Sequence, residues 1–164
     1  MKHTSHFQRY FLSTILSVLF LNGQAQISDE VLDRPYEKMT EAYEKLDARL
    51  LHEVYFESAL YMSPDGNQKI QKGIDSFIDG FGGMFRNAAE NGDQLTISFK
   101  IEKRMKDDKM VVDAGYYKLL VVPKEGEERE SYGKFVTVLK KDPADGKWKF
   151  VLDGYNPSPP VVME

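Results

Sequence analysis

The sequence predicts an α+β domain in which two helical patterns lead into a four-stranded antiparallel meander. Three observations carry this. Leu32, Tyr36, Met39, Tyr43, Leu46, Leu50 and Val54 recur at steps of three and four, which places them on one helix face. Leu95, Ile97, Phe99 and Ile101 alternate with Thr96, Ser98, Lys100 and Glu102, the period of a strand with one wet face. The stretch from Tyr132 to Pro157, YGKFVTVLKKDPADGKWKFVLDGYNP, reads as a closing hairpin. Its two runs of β-branched and aromatic residues flank Asp142-Pro143-Ala144-Asp145-Gly146, where Pro143 presets φ and Gly146 can take a positive φ.

In chain order, Met1 to Arg9 is basic without an acid, Tyr10 to Leu21 is apolar, and Gly23-Gln24-Ala25 has the small residues of a cleavage site. Residues 1–25 therefore read as a secretory signal, and the product as a soluble exported protein, periplasmic or extracellular. The apolar run is too short for a membrane span, and no later run reaches the roughly 20 residues a spanning helix needs. Without Lys2 and Arg9 the 22 basic residues become 20 against 26 acidic ones, and net charge moves from -4 to -6. That balance speaks against nucleic acid as a partner, which requires clustered positive surface. With no cysteine, the fold depends on its packed core, and 164 residues at 41% hydrophobic allow one domain with a sizeable core.

The first helical segment carries Glu37, Lys38, Glu41 and Glu44 on its wet side, and Pro35 suits a first turn, with Asp29 to Arg34 as a lead-in. His52, the sole histidine after residue 25, falls off the apolar stripe and reads as a surface residue. Tyr55 to Met62 becomes extended, Ser63-Pro64-Asp65-Gly66-Asn67 is a turn, and a short strand follows over Gln68 to Lys72. A second helix begins after Gly73, and Gly80, Gly82 and Gly83 in it are expected to break or kink it, each costing about 1 kcal/mol relative to alanine. Met110 to Val122 and both closing runs are apolar on both parities, which predicts strands covered on both faces in the middle of a sheet. Residues 158–164 follow as a flexible tail.

The Gly133-Lys134-Phe135 strand, the Asp145-Gly146-Lys147-Trp148-Lys149 turn and the closing Asp153 with Asn156-Pro157 resemble the C-terminal signature of SnoaL-like domains in the nuclear transport factor 2-like superfamily. Upstream, Asp47 on the first helix, Val54-Tyr55, Ala59-Leu60-Tyr61, Lys72-Gly73-Ile74 and Asp113-Ala114-Gly115-Tyr116-Tyr117 are similar in order and spacing. The resemblance covers roughly Tyr36 to Pro157, within a domain bounded at residues 26–157. It implies a cone-shaped α+β fold, with two to three N-terminal helices on a curved antiparallel meander of four main strands around a pocket. The same scaffold serves isomerases, cyclases, dehydratases and non-catalytic binders, and it implies a homodimer formed through the outer sheet face.

The residue inventory offers no converging metal ligands, no Gly-x-Ser-x-Gly elbow and no dinucleotide fingerprint, so no metal or cofactor is expected. One constellation remains. Asp113 and Asp153 are expected on neighbouring strands, with tyrosines around them. A desolvated carboxylate can act as a base toward a carbon acid while a phenol stabilises the oxyanion, as in ketosteroid isomerase. Asp153 is the candidate base and Tyr117, after Gly115, the candidate donor. The first reading is an exported binder of a small hydrophobic or amphipathic molecule. Its pocket would be lined by Tyr55, Tyr61, Phe77 and Phe81 from the first half of the chain, and by Tyr117, Phe135, Trp148 and Asp153 from the second. A cofactor-independent isomerase, dehydratase or cyclase is the second reading, and a homodimeric interaction module the third.

Overall fold

A computed structural model describes residues 27–163. The expected secretory signal, residues 1–25, lies outside them. Helix α1 (Asp29–Glu44) is followed by a 3-10 segment (Ala48–Glu53), strand β1 (Tyr55–Met62), the two-residue β2 (Gln71–Lys72) and helix α2 (Ile78–Asn91). Four long strands complete the chain: β3 (Gln94–Lys106), β4 (Val111–Val122), β5 (Arg129–Lys141) and β6 (Trp148–Pro157). The fold is α+β, as expected. The sheet is larger than the meander alone, with six strands in the order β2-β1-β6-β5-β4-β3, and it is mixed, because β1 runs parallel to β6. Two strands from between the helices, β1 and the edge strand β2, extend the four-stranded meander to six.

The long first helical segment is divided. Leu46 takes a positive φ of 51° and ends α1, and the Asp47 carboxylate accepts the Arg49 N–H at 3.0 Å to start the 3-10 segment. Asp47 is thus a cap and not a helix-face residue. Nor does α1 wait for Pro35: it starts at Asp29, with Pro35 buried inside it. Two acids in the first turn suit the helix dipole, and Asp29 is bound by Arg104 and Lys106, each at 2.9 Å. Helix α2 runs unbroken through Gly80, Gly82 and Gly83. Phe81 and Phe85 of that helix pack edge-on against Tyr43, so packing outweighs the weak helix propensity of the glycines. Gly92, at φ 75°, closes α2 in the left-handed conformation glycine favours.

Two local features bend the sheet toward the helices. A bulge in β3 between Ile101 and Lys103 shifts its register against β4. Opposite it Gly115 is pressed so closely on the Lys100 carbonyl that a Cβ would overlap it. The concave face carries Leu95 and Ile97 of β3, Val111 of β4, Phe135 and Leu139 of β5 and Phe150 of β6, all buried in the core, where Tyr36 of α1 meets Phe135 and Phe150. The Thr40 hydroxyl donates to the Ile97 carbonyl at 2.8 Å and fixes that helix to β3. Strands β5 and β6 lie mid-sheet, but their outer parity is not covered among the described residues, and Val136 is 45% exposed. The described residues after Pro157 form no regular structure; the Ser158 N–H donates to the Tyr132 carbonyl and Lys100 Nζ to the Val162 carbonyl.

Candidate functional site

Between the concave face and the helices lies a cavity of about 400 Å³. Seven of the eight residues anticipated for its lining are in it. Tyr55 and Tyr61 come from β1, Phe77 and Phe81 from the start of α2, Tyr117 from β4, Phe135 from β5 and Asp153 from β6. Trp148 does not line it: at the first residue of β6, paired with Lys141, it is buried at the hairpin end of the sheet. His52 is exposed, away from the cavity.

A polar row crosses the sheet, and its Thr137, Asp153 and Tyr61 line the cavity. Arg104, Asp113, Thr137, Asp153 and Tyr61 are register partners on β3, β4, β5, β6 and β1 in turn. Asp113 and Asp153 are therefore not on adjacent strands: β5, with Thr137, stands between them, at about 10 Å for two strand spacings. The two carboxylates are treated differently. Asp113 is fully buried and held by both arms of the Arg104 guanidinium, Nε to Oδ1 and Nη2 to Oδ2, each at 2.8 Å. The Tyr36 hydroxyl donates to the same carboxylate at 2.9 Å, and the Thr137 hydroxyl lies 2.6 Å from the Tyr36 oxygen. Since the single Tyr36 proton is committed to Asp113, Thr137 donates its own to Tyr36.

Asp153 has no such counter-cation among the described residues. Its Oδ2 accepts from the Tyr55 hydroxyl at 2.6 Å, while Oδ1 has no partner there and is not sealed from the cavity. Burial pushes this carboxyl up to about 6, and the Tyr55 hydrogen bond works against that rise. The Tyr55 phenol is itself raised, by burial and then by the Asp153 charge, so it keeps its proton. Tyr117 lies four residues further along the sheet, about 13 Å of strand from the Asp153 row, toward the other end of the cavity. Its ring lies over Gly133, where a Cβ would overlap it, and packs edge-on against Tyr155 at 6.0 Å. Burial, with Tyr155 and Asp153 nearby, pushes the Tyr117 phenol up to about 12.

The walls are rings. Tyr61 stacks on Phe77 at 4.8 Å, and Tyr55 meets Phe77 edge-on at 5.0 Å. The Tyr55 bond to Asp153 and the Arg104–Asp113–Tyr36–Thr137 network were not foreseen from the sequence. The β3 bulge explains the second omission. Without it, the alternation that points Leu95 to Ile101 inward would point Arg104 to solvent.

No family model matches the chain, and no curated protein matches it. Solved structures do. It is similar to a nuclear transport factor 2-like superfamily protein from Salmonella enterica, with TM-score 0.63 and 14% identity over 84% of this chain and 97% of that one. A nuclear transport factor 2-like protein with a cystatin-like fold from Novosphingobium aromaticivorans superposes with TM-score 0.64 and 13% identity, over 77% of this chain and 79% of the other. A ketosteroid isomerase-like protein from Erwinia carotovora gives TM-score 0.57 and 13% identity, over 80% and 96%. With its helices laid on a curved, open, six-stranded sheet, the chain has the nuclear transport factor 2-like fold.

Proposed function

We propose that this is an exported binding protein whose cavity takes a small, largely apolar molecule, oriented by one polar group at Asp153. The supporting observation is an aromatic-walled space of about 400 Å³ whose floor carries a buried carboxylate with one oxygen engaged by Tyr55 and the other open to an occupant. A thermal-shift screen of small apolar compounds tests it. A true ligand at a hundred times its dissociation constant adds about 2.7 kcal/mol of stability. A protein that no such compound stabilises, with a cavity found filled by its own side chains, would end this reading.

A cofactor-independent isomerase, dehydratase or cyclase is the second reading, and the carboxyl raised to about 6 favours it. Asp153 Oδ1 would remove a proton from a carbon next to a carbonyl and return it elsewhere on the substrate, with a cavity phenol such as Tyr117 donating to the oxyanion. Tyr55 would hold the carboxylate in place. The ketosteroid isomerase-like neighbour lends support. If Asp153→Asn leaves turnover unchanged on every accepted substrate, Asp153 has no catalytic role. The apolar outer parity around Val136 also fits a homodimer, which light scattering of the purified protein would reveal or exclude.

A further inference from the structure

We infer that the occupant of this cavity carries a cationic, hydrogen-bond-donating head, an ammonium on an apolar body, whose charge Asp153 balances. This rests on the cavity being a ligand site. Three features of the lining converge on it.

Among the described residues Asp153 is the one formally charged side chain in the lining, and no lysine, arginine or histidine is found there. The floor around it offers acceptors. Oδ1 of Asp153 is open, and Thr137, which also lines the cavity, has given its proton to Tyr36. The neighbouring walls are the rings of Tyr55, Tyr61, Phe77 and Phe81, whose faces attract a cation. A carboxylate head placed beside Asp153 would meet a like charge, with no lysine, arginine or histidine among the described lining residues to offset it.

The contrast within one row strengthens the inference. Asp113, two strands away, has its charge matched by the Arg104 fork, whereas Asp153 is just as inward but without a cation. A buried carboxylate in an otherwise uncharged space is costly to ionise, which is why burial raises it to about 6. A bound ammonium supplies the missing countercharge and holds the carboxylate ionised. The titratable groups facing Asp153 are phenols from each packed element: Tyr43 on α1, Tyr55 and Tyr61 on β1, Tyr117 on β4 and Tyr155 on its own strand. Asp113 and Arg104 are the charged groups on the same row.

The experiment compares three probes of one shape by calorimetry: tryptamine, tryptophol and indole-3-acetate, which differ in an ammonium, a hydroxyl and a carboxylate head. At about pH 7.5, tryptamine should bind about tenfold more tightly than tryptophol, with indole-3-acetate weakest. Asp153→Asn should abolish that advantage. Should that variant fail to fold, wild-type protein at about pH 5 gives the same information, because protonated Asp153 no longer favours the ammonium. Tryptophol or indole-3-acetate binding as tightly as tryptamine would overturn the inference and leave the cavity a ligand site. An ammonium advantage that survives both Asp153→Asn and acidification would overturn it as well. Failure of all three probes to bind at millimolar concentration would remove both the inference and the reading beneath it.

Discussion

Replacing Arg104 with methionine is the sharpest test of how the site is braced. The guanidinium makes two 2.8 Å bonds to an Asp113 carboxylate that is fully buried, and it reaches Asp29 and Asp33 on α1 at 2.9 and 2.8 Å. Methionine keeps much of the stem volume but leaves the Asp113 charge without its partner. Breaking one side of a buried pair costs about 3–5 kcal/mol, against a total stability of about 5–15 kcal/mol for a domain. At about 3–5 °C for each kcal/mol in a chain of this size, the melting temperature should fall by about 10–20 °C. The exposed bonds to Asp29 and Asp33 add little. Urea titration followed by circular dichroism measures the loss. Combining Arg104→Met with Asp113→Asn removes the stranded charge and should recover most of it, a coupling that a double-mutant cycle isolates. A single-mutant loss below about 1 kcal/mol, or a double mutant no better than the single, would refute the assignment of this pair as a buried, desolvated brace.

Asp153→Asn should alter stability in a pH-dependent way. A carboxyl raised from 3.8 to about 6 favours its protonated form in the folded chain, so its contribution is complete below about pH 4 and is lost as pH rises through 6. The asparagine variant lacks that loss. Relative to wild type it should gain about 2–3 kcal/mol between pH 4 and pH 7.5, read from denaturant curves at the two values, and no relative gain would contradict the burial of Asp153. Gly133→Ala places a methyl in the space of the Tyr117 ring and must displace it from the cavity wall. A loss of about 1–3 kcal/mol with weakened ligand binding is expected, and unchanged binding would remove Tyr117 from the site. Trp148, the sole tryptophan, lies outside the cavity, so its fluorescence should not change on ligand binding while the tyrosine absorbance does.

Much of this molecule could be read in one dimension because each apolar pattern had one physical use. The stripe from Leu32 to Tyr43 and the alternation from Leu95 to Ile101 had only one face to bury, and both turn it inward, with Leu95 and Ile97 buried and Phe99 and Ile101 half-buried against the core. The hairpin around Gly146, at φ 73°, forms where its turn residues require it. Ambiguity began where both parities were apolar. In β5 the sequence offers Val136 as readily as Phe135, and only the placement of the helices decides that Phe135 is inside and Val136 outside. The β1–β6 pairing is parallel and joins residues nearly a hundred apart in sequence, as the Tyr55–Asp153 bond shows, so no local period could announce it. Trp148 was misplaced for a related reason. Burial in a strand beside Phe150 is visible in the sequence, but nothing in the local pattern marks how far along the strand the cavity extends, and Trp148 lies beyond it at the hairpin end.

The most direct measurement is a carboxyl-carbon NMR titration of Asp153 in the unliganded protein. A midpoint near 6 is expected for a carboxylate held in the dry end of the cavity by Tyr55 alone, and Tyr55→Phe should move that midpoint upward. A midpoint at or below the ordinary value of 3.8, or one indifferent to Tyr55, would place the carboxylate in water and contradict the site.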